Sequence, residues 1–284
     1  MLRVNWGSAT DVGRVRELNE DSVWAGPTLF VVADGMGGHA AGEVASDIAV
    51  SEFRRLSEQR PLSAEDIVAA LRQANDRILE AGRQRRERSG LGTTVTGLGL
   101  VAAGGSTQWA VFNVGDSRVY RFADNLLSQL TVDHSAVQEL VTAGELRREE
   151  ARFHPRRNVV TRSLGSQPAP AADVWLFPPS PGERFLICSD GLTGELDDAE
   201  IARVLFDEPD PQRAAVALVE QANNAGGHDN TTVVVVDVAD VDAVAADVDA
   251  VDAEAVDVDA GDVEAVDVDG GPRPPADTDG RRQA

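Results

Sequence analysis

The chain has 284 residues, 42% of them apolar, enough to bury one large core or two small ones. Its single cysteine, Cys188, excludes a disulfide framework and a cysteine-built zinc cluster, and a formal net charge of −22 excludes nucleic acid as the main partner. All 26 basic residues are arginine, which excludes lysine Schiff-base chemistry and a P-loop lysine; no run reaches signal-peptide or membrane-span length, so the chain reads as cytoplasmic.

In chain order, residues 28–33 (TLFVVA) form a short apolar run that stops at Asp34-Gly35-Met36-Gly37-Gly38, the pattern of a buried strand ending in a glycine-rich turn. Ala45, Ile48, Ala49, Phe53 and Leu56 recur at helical spacing. So do Ile67, Ala70, Leu71, Ala74 and Ile78, after a capping box of Ser63 and Asp66, and the two helices are expected to pack side by side. Residues 93–101, 108–114 and 118–122 are β-rich and separated by Gly-Gly and Gly-Asp-Ser turns, which predicts an antiparallel meander. Residues 135–157 are helical, polar and charged, an excursion from the sheet and a candidate flap over about 135–160.

Further strands are predicted over 175–177, 184–188 and 231–238. Between the last two, helices are predicted over 197–206 and 211–222, the second opened by Asp210 as cap with Pro211 in its first turn. Strands in runs and helices in pairs point to antiparallel sheets faced by helices. Past Val238 the sequence becomes a stutter of Val, Asp and Ala without an aromatic residue. From Asp237 onward there are 15 acidic residues against 3 arginines, a net of −12. Such a segment cannot repay its ordering entropy, so 1–238 is read as the folded domain and 239–284 as a disordered acidic tail. A solvated tail without a task, a weak divalent-ion sink and an autoinhibitory strip are its three readings.

Four aspartates share one setting: Asp34 in VVADGMGG, Asp116 in NVGDSR, Asp190 in LICSDGL and Asp229 in GGHDNTT each lie where a strand meets a turn. Carboxylates gathered at one sheet edge repel unless cations neutralise them, and Mg²⁺ or Mn²⁺ suit such oxygen ligands. Gly35 adds a carbonyl with no side chain in the way. One Asp-Gly pair is ordinarily just a turn, and residues 16–21 (RELNED) read either as a charged loop or as a phosphate fork, Arg16, beside acids, Glu20 and Asp21, that hold metal-bound water.

Taken together, RELNED at 16–21, VVADGMGGHAAGEVAS at 31–46, GTT at 92–94, NVGDSRVY at 113–120, LTVDHS at 130–135, TRSLG at 161–165, ICSDGL at 187–192 and HDNTTVVVV at 228–236 resemble the metal-dependent protein phosphatases of the protein phosphatase 2C (PPM) family in compact bacterial form. The resemblance implies an α+β fold, an α-β-β-α sandwich of two antiparallel sheets flanked by helix pairs. It implies a cytoplasmic, monomeric phosphoserine/phosphothreonine protein phosphatase acting on phosphorylated proteins, opposing a bacterial Ser/Thr kinase. Attack would be direct and in line, by a metal-bridging hydroxide, with no phosphoenzyme. The cofactors would be two Mg or Mn ions and a weaker third. Asp34 would bridge two metals, Gly35 would offer its carbonyl, Asp190 and Asp229 would complete the first site, and Asp116 would join Asp190 at the third. Glu20 and Asp21 would act through water, and Arg16 would bind the substrate phosphate. Met36 stands where eukaryotic relatives place a histidine. His39 is then a candidate general acid, with a turn or metal-shell role and metal-bound water as the alternatives. His134 and His228 are read as local hydrogen-bonding residues and Cys188 as strand packing. A regulatory phosphatase of an anti-sigma antagonist-type switch protein, and an inactive phosphopeptide-binding module, are the competing functions.

Overall fold

Strand β3 (Leu29–Met36) shows how the layers arise. Its alternate residues Leu29, Val31 and Ala33 face one side, Phe30 and Val32 the other, and all five are fully buried. A strand buried on both faces must lie between two layers, which is why its sequence is a continuous apolar run. The structure, a computed structural model, describes residues 3–37, 41–59, 61–84 and 90–239. His39 and the acidic tail beyond Ala239 lie outside the described residues.

Two antiparallel sheets form the centre. One has the order β1 (Arg3–Asp11), β11 (Thr231–Ala239), β10 (Arg184–Cys188), β7 (Arg118–Ala123), β8 (Leu126–Gln129). The other has β2 (Asp21–Ala25), β3, β5 (Val95–Ala103), β6 (Ser106–Val114), β9 (Asp173–Phe177), with β4 (Gly92–Thr93) paired to β3. Between them lie Phe30, Val32, Val111, Ile187, Val234 and Val236, and Trp109 meets Phe185 edge-on at 5.5 Å. Helices α1 (Ala41–Leu56) and α2 (Ala64–Gln84) cover the outer face of the second sheet, where Phe53 stacks on Phe112 at 5.1 Å. On the first sheet, Leu186, Val233 and Val235 pack against α5 (Asp190–Glu195), α6 (Asp198–Asp207) and α7 (Pro211–Ala225). This is the expected α-β-β-α sandwich. The Ser63–Asp66 box at α2 and the Asp210 cap with Pro211 at α7 are also present. Among the described residues no helix is long and apolar enough to cross a membrane.

Three local expectations fail. The predicted meander does not form, because β6 pairs with β5 and β9 while β7 crosses into the other sheet beside β10. The crossing happens at Gly115, whose φ of 120° suits glycine and where a Cβ would lie 2.5 Å from that of Thr94. The predicted strand over 93–101 is broken at Thr94, which is drawn aside to hydrogen-bond Asp34. The helix expected over 135–157 is two short ones, α3 (Ala136–Thr142) and α4 (Arg148–Ala151), separated by a turn at Gly144 with φ 72°. The 135–160 segment does leave and return as one excursion, since the Ala136 N–H donates to the Val159 carbonyl at 2.8 Å. Strands β1, β2 and β8 and helix α5 were not anticipated.

Phe185→Ala should cost about 3–5 kcal/mol by emptying the space between the sheets. Phe206→Ala, on the outside of α6 at 64% exposure, should change stability by less than about 0.5 kcal/mol. Urea denaturation of both variants checks the contrast; equal losses would mean that the inter-sheet layer is not the core.

Candidate active site

The site is built on the ends of β2 and β3. Asp34 stands opposite Asp21 in the antiparallel register. Its N–H donates to Thr94 Oγ1 at 3.1 Å, and its carbonyl accepts from Thr94 N at 2.9 Å and Thr93 Oγ1 at 2.9 Å. The Thr94 hydroxyl meets that of Ser117 at 2.7 Å, which ties Asp34 to the turn carrying Asp116. Gly35 follows, and only glycine fits there: a Cβ would lie 2.2 Å from the Gly42 carbonyl oxygen and 2.5 Å from that of Glu20. Close approach of the α1 N-terminus thus fixes the Asp-Gly step. Glu20 completes the junction, its Oε1 accepting from Gly42 N at 3.1 Å.

Asp190 opens α5 at the end of β10, and Asp229 precedes β11. Asp21 Oδ2 accepts from Ser189 Oγ at 2.8 Å, and Ser189 Oγ in turn accepts from Thr232 N at 2.9 Å. Asp21 Oδ1 is buried with no partner. Asn230 braces the preceding loop: its Oδ1 accepts from Glu20 N at 2.8 Å, and its Nδ2 donates to the Val12 and Leu18 carbonyls at 3.0 and 2.9 Å.

Four of these carboxyls resist ionisation. Burial, then repulsion from Asp21, Asp190 and Asp116, raises Asp34 well above the usual range. Burial, then Asp190 and Asp133, does the same to Asp116, while burial and Asp229 raise Asp190. Asp21 is pushed up to about 7 by burial, against the hydrogen bond from Ser189. Nearby, Arg16 is engaged with Asp229 at 2.7 Å and Arg118 with both oxygens of Asp133.

Among the described residues no three His, Cys, Asp or Glu side chains stand as a ready-made metal-binding group. Mg²⁺ keeps several waters and uses one or two carboxylates per ion, so more than one ion can be held across these aspartates without a preformed three-carboxylate group. Hard oxygen donors, mutual repulsion and the unpartnered Asp21 oxygen fit divalent Mg²⁺ or Mn²⁺. Soft ligands are engaged elsewhere: Cys188 is buried with its thiol pushed up to about 12, and His228 is held by Glu195 at 2.7 Å.

The structure therefore brings Asp21, Asp34, Gly35, Asp190, Asp229 and Asp116 into one neighbourhood with Glu20 and Arg16. Arg16, expected to be available for phosphate, is paired with Asp229 instead, half exposed. The residues missed in the sequence are the braces Thr93, Thr94, Ser117, Ser189, Asn230 and Thr232; small hydroxyl and amide residues flanking each aspartate were the only local sign. His134 is a further brace: its Nδ1 accepts from Gly115 N at 3.1 Å, and its Nε2 reaches Asp173 Oδ2 at 3.2 Å, so it holds the turn before Asp116.

The family described as Protein phosphatase 2C matches residues 17–226. The chain belongs to the protein phosphatase 2C family. It is 39% identical over 245 residues to the serine/threonine protein phosphatase PstP of Mycobacterium tuberculosis, covering 85% of this chain but 46% of that protein, so it spans about half the length of that relative. It is 37% identical over 239 residues to the serine/threonine phosphatase stp of Listeria monocytogenes, covering 80% of this chain and 93% of that one. Its fold is similar to the crystal structure of the catalytic domain of PstP in complex with two manganese ions, with TM-score 0.78 and 36% identity over 84% of this chain and all of that one. The protein phosphatase 2C match stops just short of Arg16 and Asp229 at its two ends, the two residues that the ion pair joins.

A carboxyl whose folded pKa is raised stabilises the fold below its unfolded pKa, and that stability is lost as pH rises through the folded value. In chelator, Asp21→Asn should therefore become more stable relative to wild type, by about 1 kcal/mol, on going from about pH 6 to about pH 8. Urea midpoints at the two pH values test this, and a constant difference would show that Asp21 ionises freely in the fold.

Proposed function

We propose that the chain is a metal-dependent phosphoserine/phosphothreonine protein phosphatase that works by direct in-line attack of water on phosphorus, without a phosphoenzyme. The observation that carries this reading is the group of largely desolvated, mutually repelling carboxyls of Asp21, Asp34, Asp116 and Asp190 beside the partly exposed Arg16–Asp229 pair. The names of the mycobacterial and Listeria relatives support it, as does the solved relative with two manganese ions.

In this reading Asp34, the Gly35 carbonyl, Asp190 and Asp229 would hold two Mg or Mn ions. Asp116 with Asp190 holds a weaker third. Glu20, one of whose oxygens takes the Gly42 N–H, and Asp21 act through water. Such ions, when bound, would lower the pKa of the attacking water and neutralise developing charge on the phosphoryl oxygens. The rest falls to the chain. Thr93 and Thr94 fix the direction of Asp34 through its backbone, so its carboxylate needs no rearrangement during the reaction. Arg16 binds the substrate phosphate after leaving Asp229; an exposed pair of this kind is worth only about 0–1 kcal/mol, so the exchange is easy. Its planar fork suits two phosphoryl oxygens at once. The cysteine-phosphatase alternative is opposed by the Cys188 thiol, which is fully buried and has its pKa raised by that burial. His39 remains a candidate for protonating the leaving oxygen.

With Mn²⁺ the protein should hydrolyse p-nitrophenyl phosphate and phosphothreonine peptides, and EDTA should abolish both activities. Asp190→Asn and Asp229→Asn should each lower kcat by at least about a hundredfold. Thr94→Val, which touches only the backbone and braces of Asp34, should cost about ten- to a hundredfold. Turnover that persists in EDTA would sink the metal-dependent mechanism.

A further inference from the structure

Asp116 and Asp190 also line a cleft of about 630 Å³ whose opposite wall is the 135–160 excursion. Because that cleft opens directly from the two carboxyls, a phosphorylated side chain seated beside them must run its own polypeptide along it. The character of the walls then decides which flanking residues are accepted.

The excursion wall is basic. Arg148 and Arg152 stand four residues apart at α4 and so share a face, and Arg157 follows; all three are exposed and line the cleft. The same wall contributes one carboxylate to the lining, Glu149. Among the described residues none of the three arginines forms an ion pair, whereas the adjacent Arg147, outside the lining, is paired with Glu150 at 2.6 Å. Arg152 lies 5.3 Å from the ring of Phe153, which is 77% exposed and also in the cleft, so the wall offers cations next to an apolar surface.

The facing wall is acidic, with each carboxylate held in place by a hydrogen bond. Asp197 caps α6, its Oδ1 accepting from Glu200 N at 2.9 Å, and Asp198 Oδ1 accepts from the Tyr120 hydroxyl at 3.3 Å. Arg118, at the floor, is held by Asp133. Among the described residues, the cations lining the cleft that no carboxylate pairs are therefore Arg148, Arg152 and Arg157, all on the excursion.

We infer that this cleft receives the acidic flank of the phosphoprotein substrate, with Arg148, Arg152 and Arg157 as the recognising groups. The inference rests on the phosphatase reading above and names the substrate class for that same site. It selects for Asp, Glu or a second phosphorylated residue near the phosphoserine or phosphothreonine, and against Lys and Arg there. Because the arginines are exposed, the selection is modest per residue and sensitive to salt.

The experiment uses the full chain with Mn²⁺ and three phosphothreonine peptides that differ only in flanks of Glu, Gln or Lys. The expected order of kcat/KM is Glu above Gln above Lys, with each Glu worth up to about fivefold and the advantage shrinking at high salt. In the double variant Arg148→Gln/Arg152→Gln, checked for native stability by thermal unfolding, the ratio of Glu-flanked to Gln-flanked kcat/KM should fall towards one. Arg213→Gln, an exposed arginine outside the cleft that is paired with Glu208, should keep the wild-type ratio. Equal use of all three peptides by wild type, or an unchanged ratio in the double variant, overturns this inference while leaving the phosphatase reading standing. Wild type that hydrolyses neither peptide nor p-nitrophenyl phosphate overturns both.

Discussion

Taking a carboxylate out of water costs about several kcal/mol unless a cation or a set of donors replaces the lost hydration. Here Asp116 is buried, Asp21, Asp34 and Asp190 are partly so, and all four lie within reach of one another. Nothing in the side chains themselves would hold such a group together. The backbone does it: Asp21 and Asp34 are opposite partners in a strand ladder, Asp190 starts a helix at the end of β10, and Asp116 sits where the chain crosses between sheets. The sandwich is therefore the device that opposes the repulsion, and its three buried layers supply the stability from which that cost is met.

The braces show the same logic at closer range. A threonine hydroxyl on the Asp34 backbone, a serine hydroxyl on Asp21 and the Asn230 amide on the 12–20 loop each satisfy a polar group that the packing would otherwise strand. Loss of such a brace lets the carboxyl relax away from its neighbours, because relaxation relieves the repulsion. Local hydrogen bonding and site geometry are thus one problem, which is why hydroxyl and amide residues crowd around each aspartate.

How much of this was legible follows from which contacts are local. β3, β10 and β11 were plain as apolar runs because both of their faces are buried, and the helices of the sandwich declared themselves by period and caps. β1 and β2 were missed because their residues are mostly half-exposed, so their sequences carry little apolar signal. The meander was misread because alternation marks a strand without naming its partner; only Gly115 and its contact with Thr94 decide that β7 changes sheet. Within the site, the aspartates stood out through their Asp-Gly, Gly-Asp and Asp-Asn settings. Their braces did not, since Thr94 acts across 60 residues and Asn230 across 210, and nothing in either neighbourhood records the other.

The Arg16–Asp229 pair spans 213 residues, and it is also one of the most exposed contacts in the site. Burial and exposure divide the labour. The buried carboxyls cannot change partner without rearranging a strand end or a helix start, so they define fixed positions. Arg16 is on a loop, with solvent to replace whatever contact it gives up, so it can exchange Asp229 for another anion without disturbing the sheets. A site that must hold its charge-bearing framework still while an anionic group arrives and departs needs both kinds of residue. The sandwich provides the first at the ends of its strands, and the loop before β2 provides the second.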